Sequence, residues 1–294
     1  MGFIEIHSRT VEARGMTVAY LEAGEGPLVV LTHGFPDTAS GWRPTIAALA
    51  EAGFRAVAPF TRGIAPTTSP PKADYSSLTL AEDIVGLLDA LGVDEAHLVG
   101  QDWGAMFSYL ATSLAPDRVE KLVTIAIPHP RSVKPQLRLI KGFWHFFFFQ
   151  LPWLPEWFMK RGGLRGIDFF FKAWSPSTDW TGRLEEVKES YREPGTLRAA
   201  LAYYRALFKA PWSARAKKQQ KLLGRKIDVP TLTFAGITDG ALPASEFDRS
   251  ARAYTGPYKL VKVADGGHFL HLEQPDVFHA ALIEFLKGEA PSAE

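Results

Sequence analysis

Short apolar runs rich in Val, Ile and Leu alternate along this chain with longer segments of helical period, and that alternation restricts the fold more than any other feature. A strand, a crossover helix and a further strand make a parallel pair. A sheet built this way is covered by helices on both faces, so its strands are apolar throughout. The runs fall at residues 17–22, 28–32, 55–59, 97–100, 121–127, 231–236 and 259–264, and residues 3–7 are expected to form an antiparallel hairpin partner at the start of the sheet. Helical period occupies 41–52, 79–91, 104–114, 243–254 and 275–286. Thr79 ahead of Ala81 and Glu82, and Pro275 in a first turn, act as start signals.

The alternation stops between His129 and Lys226, where Pro, Trp, Phe, Lys and Arg crowd together without a sheet-like run, and it resumes at Val229. Disordered segments are poor in aromatics. A folded, mainly helical insertion is therefore expected at 129–226, over a core made of 1–128 and 227–294. The length of 294 residues accommodates one large domain with such an insertion, and no solenoid-type repeat is visible.

Lysine plus arginine number 33 and aspartate plus glutamate 32, so no net field recommends nucleic acid or an anionic membrane as the main partner; a small molecule is expected. The absence of cysteine excludes disulfides, thiolate nucleophiles and thiolate-bound zinc. No metal or cofactor is expected. The first residues, MGFIEIHSRTVEARG, have no apolar run like that of a secretory signal, which reads as a cytoplasmic protein. The most apolar stretch, Phe143 to Phe158, is broken by His145, Gln150, Pro152, Pro155 and Glu156 and falls short of the roughly 20 apolar residues of a spanning helix.

Three segments carry chemistry. In HLVGQDWGAMFSYLA, residues 97–111, a strand gives way to a helix through a turn in which Gly100 and Gly104 flank Asp102 two residues on either side. The spacing is that of the G-x-S-x-G elbow, where a tight turn excludes larger neighbours and lifts the middle side chain into a cleft. At a helix N-terminus that carboxylate gains from the helix dipole and is suited to act as a nucleophile; taken alone, the fragment fits a capping aspartate equally well. The second segment, LTHGFPD at 31–37, follows an apolar strand. In such a turn the amides of Phe35 and of Trp103, the residue after the nucleophile, are the donors for developing negative charge, and His33 reads as a packed structural histidine. The third, ADGGHFLHLEQP at 264–275, puts His268 after two glycines on a loop where its ring can swing over the elbow, with His271 as buried support. Asp239, just past the preceding strand, is the acid expected to orient His268, or else a turn residue; Asp265 is the alternative acid. The order Asp102, Asp239, His268 is the nucleophile, acid, histidine order of the α/β hydrolases with serine replaced.

On these residues the chain resembles the epoxide hydrolase branch of the α/β-hydrolase family from about Gly15 to Lys287. H-G-F-P-D at 33–37, G-Q-D-W-G-A at 100–105 and G-H-F-L-H-L-E-Q-P at 267–275 carry the likeness. The resemblance implies an α/β-hydrolase fold, with a mostly parallel eight-stranded sheet and a helical cap. It also implies two cap phenols that hold and protonate an epoxide oxygen, one from a Y-x-x-x-x-Q segment and one from an aromatic-Tyr-Arg segment. Tyr203-Tyr204-Arg205 matches the second, so Tyr204 inherits that role. The first falls on residues 145–150, where His145 stands in the tyrosine's place and Gln150 is kept, a departure that some family members share.

The expected reaction is attack of Asp102 on a carbon of a small apolar epoxide, with Tyr204 and His145 on the leaving oxygen. Water activated by His268 then hydrolyses the ester, and the Phe35 and Trp103 amides hold the oxyanion. A haloalkane dehalogenase shares the nucleophile and the following tryptophan, but resemblance to that group leads one to expect asparagine, glutamate or tryptophan where Phe35 stands. A fluoroacetate dehalogenase is expected to carry arginines beside the nucleophile, and none is present. A noncatalytic binding protein of the same fold is the third reading, and the sequence leaves a homodimer open.

Overall fold

The computed structural model describes residues 4–70, 73–133 and 142–288. Eight strands form one sheet: β1 His7–Ala13, β2 Met16–Ala23, β3 Leu28–Thr32, β4 Arg55–Pro59, β5 Ala96–Gln101, β6 Val119–Ile125, β7 Thr231–Gly236 and β8 Tyr258–Val263. Their order is β1-β2-β4-β3-β5-β6-β7-β8. β2 runs antiparallel to β1 and β4, and every pairing from β4 to β8 is parallel. Every residue of β3, β5 and β7 is buried, as a sheet covered on both faces requires. The helices Ser77–Ala90 and Trp103–Leu114 pack on each other, as do Arg43–Glu51 and Pro275–Lys287. The last begins with Pro275 in its first turn, as its sequence signal predicts.

Two sequence expectations shift. The opening hairpin strand is not 3–7 but His7–Ala13, joined to β2 through Arg14 and Gly15, both at positive φ; Phe3 lies outside the described residues. Arg-Gly is not one of the usual two-residue hairpin signals, and β1 is mostly exposed, so neither turn chemistry nor apolar alternation marks it. Residues 243–254 form two 3₁₀ turns, Ala244–Phe247 and Ser250–Ala253, instead of a helix. Ser245, Asp248 and Ser250 are poor helix-interior residues, and Asp248 is drawn to Lys262 at 2.6 Å.

Between Ile125 and Thr231 the described residues contain helices and no sheet strand: Trp144–Phe148, Leu154–Trp174, Glu185–Arg192, Thr196–Ala206 and Ala214–Leu223, with a short turn at Pro130–Ser132. The long helix Leu154–Trp174 bends where Arg161 leaves helical geometry and Gly162, Gly163 and Leu164 take positive φ. Phe149, Phe170, Phe171 and Trp174 from this layer are buried against the sheet's loops. Among the described residues, no helix is long and apolar enough to cross a membrane, and no cluster of side chains is arranged to hold a metal ion.

Candidate active site

The site grows from the end of β5. The helix Trp103–Leu114 starts one residue after the turn, which leaves Asp102 at φ 52° and ψ −118°. Such a backbone costs a non-glycine residue about 1–3 kcal/mol and persists only where its surroundings hold it. They do so here by close approach. A Cβ on Gly104 would overlap the Thr32 carbonyl, and one on Gly34 would overlap the Asp102 side chain itself.

The Asp102 carboxylate is held from two directions. The Phe35 amide donates to Oδ1 at 2.8 Å, and Oδ2 lies 3.6 Å from His268 Nε2. Trp103, the other expected donor, opens the helix, but among the described residues only Phe35 of that pair donates to Asp102. His268 Nδ1 is 2.9 Å from Asp239 Oδ2, while Asp239 Oδ1 accepts from the Ala241 and Leu242 amides at 2.7 and 3.1 Å. Asp265 is exposed and does not meet His268; only its carbonyl is engaged, accepting from Gln274 Nε2 at 3.3 Å.

Burial is the largest influence on the His268 ring and opposes its charging, but Asp239 and Asp102 outweigh it and raise its pKa to about 10. The resting His268 ring is thus favoured as an imidazolium. His33 is neutral, its pKa lowered to about 4 by burial, with Nε2 accepting from the Thr61 amide at 3.1 Å and Nδ1 3.1 Å from the Gly34 carbonyl. It braces the turn that carries Phe35. His271 is also buried and lowered to about 3 by burial, its ring tilted against Trp42 at 4.4 Å.

The cap closes the site from above. Tyr204, from the helix Thr196–Ala206, is buried among Phe35, Trp103, Phe146 and Phe149, with ring centroids 4.8–5.3 Å away. Its hydroxyl makes no hydrogen bond of good geometry among the described residues, although the Trp103 indole is near enough to lower its pKa. Burial first, and then the nearby Asp102 carboxylate, push the phenol well above its ordinary pKa, so it stays a proton donor. His145 stands 5.6 Å from the Tyr204 ring and 5.0 Å from Trp174. Burial lowers its pKa to about 4, and Nδ1 makes no hydrogen bond of good geometry among the described residues, with the Gly142 backbone beside the ring. It is a neutral imidazole. Gln150 serves the cap's own framework, donating to the Tyr204 carbonyl at 3.2 Å.

Three residues of the site escape sequence reading. The Trp174 carbonyl accepts from the Gly240 amide at 3.0 Å and the His268 amide at 3.1 Å, tying the end of a cap helix to both core loops. Glu273 accepts from the Gly267 and Phe269 amides at 3.1 Å, bracing the loop on either side of His268. Tyr191 is buried and is pushed well above its ordinary pKa by burial and then by the charges of Tyr203, Asp37 and Asp102. The first acts through its backbone, which no side-chain motif reports. The other two depend on packing between distant segments, although the repeated short spacing of Gly267, Phe269 and Glu273 was a usable signal. A cleft of about 820 Å³ is lined by Thr67 and Glu189, and neither Asp102 nor His268 lines it.

Comparison with known proteins bears on the fold and the family. A sequence model of the alpha/beta hydrolase fold matches residues 27–275. Epoxide hydrolase A of Mycobacterium tuberculosis is 34% identical, over 95% of this chain and 97% of its own length. The AB hydrolase superfamily protein YfhM of Bacillus subtilis is 30% identical, over the same shares. The crystal structure of Epoxide Hydrolase A from Mycobacterium thermoresistibile superposes with a TM-score of 0.83 at 29% identity, covering 98% of this chain and 100% of that one. With the strained aspartate turn, the strand order and the helical layer between β6 and β7 all in place, the chain belongs to the α/β-hydrolase fold family, on the branch that its epoxide hydrolase relatives occupy.

Proposed function

We propose that this protein is an epoxide hydrolase that converts small apolar epoxides to vicinal diols through an ester on Asp102. What supports the reading is one apposition. A carboxylate held by the Phe35 amide and facing His268 lies under a buried phenol, Tyr204, whose hydroxyl has no hydrogen-bond acceptor among the described residues.

In the first step an Asp102 oxygen bonds to a ring carbon, the carbon–oxygen bond of the epoxide breaks, and the alkoxide takes the Tyr204 proton. The neutral His145 ring donates a second hydrogen bond to the same oxygen. Esterification removes one of the two negative charges that raise the His268 pKa. Its ring then releases a proton, which makes good the one that Tyr204 gave up, and becomes the base that the second step needs. His268, oriented by Asp239, takes a proton from water as the hydroxide attacks the ester carbonyl. The Phe35 and Trp103 amides hold the oxyanion until the diol leaves and Asp102 is restored. Each acid-base role is worth about 10²–10⁴-fold in rate. The cap assigned to residues 129–226 serves as an apolar roof that excludes bulk water.

Against halide chemistry stands Phe35, a buried ring packed edge-on to Phe149, Phe170 and Tyr204 with no polar atom to cradle a halide. The same reading makes epoxide and water the working partners, without nucleic acid, in the cytoplasm, as a monomer or a homodimer. Diol formation from a small aryl epoxide, assayed beside halide release from a short haloalkane, tests it. Diol without halide is expected, and halide without diol would overturn the reading.

A further inference from the structure

The near-balance of charge over the whole chain hides a one-sided surface on the cap. On the helix Leu154–Trp174 both acids are engaged, Glu156 with Arg205 and Asp168 with Lys188, each at 2.7 Å. Lys160, Arg161 and Arg165, all exposed, make no ion pair among the described residues.

Exposed rings accompany these cations on the cap. Trp153 is 71% exposed, Trp157 and Phe147 each 56%, and Phe169 44%. Phe169 belongs to a connected array, and Trp157, one helical turn after Trp153, joins it through Arg161; Phe147 meets Phe208 instead, at 6.1 Å. Trp144 meets Phe148 at 5.6 Å and Phe169 at 6.3 Å, and Phe158 meets Phe148 at 5.6 Å and Phe169 at 5.4 Å. Arg161 caps it, its guanidinium 5.3 Å from the Trp157 ring and 4.8 Å from that of Phe158. Single exposed apolar residues need no explanation, but a contiguous aromatic patch rimmed by polar groups marks a contact surface.

We propose that this face of the cap docks the protein peripherally on anionic lipid surfaces. Indole rings favour the headgroup level, where one edge is wet and the body is apolar. Lysine and arginine lay their stems along apolar surface while the charged end reaches the anionic headgroups. Arg161, stacked on two rings, enters such an interface without losing its charge. A second copy on the same face is disfavoured by symmetry, since a two-fold axis through the patch would set Lys160, Arg161 and Arg165 near their own duplicates. The docking is independent of the reaction proposed above. If that reaction holds, the patch brings the cap to the phase in which an apolar epoxide collects.

The test is sedimentation of the full chain with vesicles of phosphatidylcholine mixed with phosphatidylserine, and with phosphatidylcholine alone. Binding to the mixed vesicles, weakening as salt rises, is expected. The double reversal Lys160→Glu with Arg165→Glu should lower binding at least about tenfold. Trp153→Ser with Trp157→Ser should also lower it, and turnover of a water-soluble epoxide should be unchanged in both variants. The proposal is overturned if the native chain ignores the mixed vesicles or binds both kinds equally. It also fails if the native chain forms a dimer that the tryptophan changes dissociate while vesicles are left unbound. The comparison of vesicle types uses the native chain alone and so stands even if a variant fails to fold.

Discussion

The two halves of the site are held by different forces. On the core side, Asp102, Asp239 and His268 sit in a mesh of hydrogen bonds to backbone amides, with glycines packed too closely to accept a side chain. On the cap side, Tyr204 and His145 are held by ring packing, and among the described residues Tyr204 Oη and His145 Nδ1 make no hydrogen bond of good geometry. The core half is therefore closely held, with His268 Nε2, 3.6 Å from Asp102, its one triad nitrogen left without a hydrogen bond among the described residues, whereas the cap half keeps buried donor capacity in reserve, which a ligand oxygen can use. A buried polar group without a partner costs about 1–3 kcal/mol. The asymmetry thus predicts that core substitutions damage both chemistry and fold, and that cap substitutions damage chemistry alone.

The largest effect is expected from His268→Gln, which should lower turnover about 10³–10⁴-fold while the first step persists, so that ester accumulates on Asp102. Intact-mass analysis after mixing with epoxide checks this; an enzyme that turns over slowly without accumulating adduct breaks the assignment. Tyr204→Phe should slow ring opening about 10²-fold and leave thermal stability equal or slightly raised, since it deletes a buried hydroxyl with no acceptor among the described residues. A loss of several degrees in Tm would mean that the hydroxyl has a structural partner and that the comparison is wrong. His145→Phe should cost about tenfold in kcat, less than Tyr204→Phe, because a neutral imidazole at this site adds a second hydrogen bond to the proton donor.

The smallest effects are on the core's supports. Glu273→Gln replaces a carboxylate that accepts amides on both sides of His268 and should destabilise the fold by about 1–3 kcal/mol in chemical unfolding, with a few-fold loss in kcat. The raised His268 pKa gives a pH signature. Its contribution to stability is complete below the unfolded value near 6.5 and is lost as pH rises towards about 10. Unfolding curves of the native chain and of Asp239→Asn should therefore differ most at the lower end of that window and converge above it.

The same asymmetry explains what the sequence could convey. Asp102 and His268 are legible because steric demands at their turns leave glycines at fixed offsets, and Asp239 because it follows a strand in the right order. Tyr204 and His145 emerge only through resemblance, since a ring in a cap helix carries no local mark of what it faces. Trp174 through its carbonyl, and Glu273 by accepting from Ser175 Oγ at 2.6 Å, act between segments that meet only after folding. The sheet was readable from apolar runs, except for β1, which is exposed and joined through an Arg-Gly turn, and 243–254, where short polar side chains replaced an expected helix with 3₁₀ turns.

The central claim is that Asp102 itself bonds to substrate. A single turnover in ¹⁸O-water, with enzyme in excess over epoxide, followed by mass analysis of the peptide carrying residue 102, addresses it directly. One labelled oxygen in that carboxylate and none in the diol is the expected result. An unlabelled peptide beside labelled diol would mean that water attacks the epoxide without a covalent intermediate.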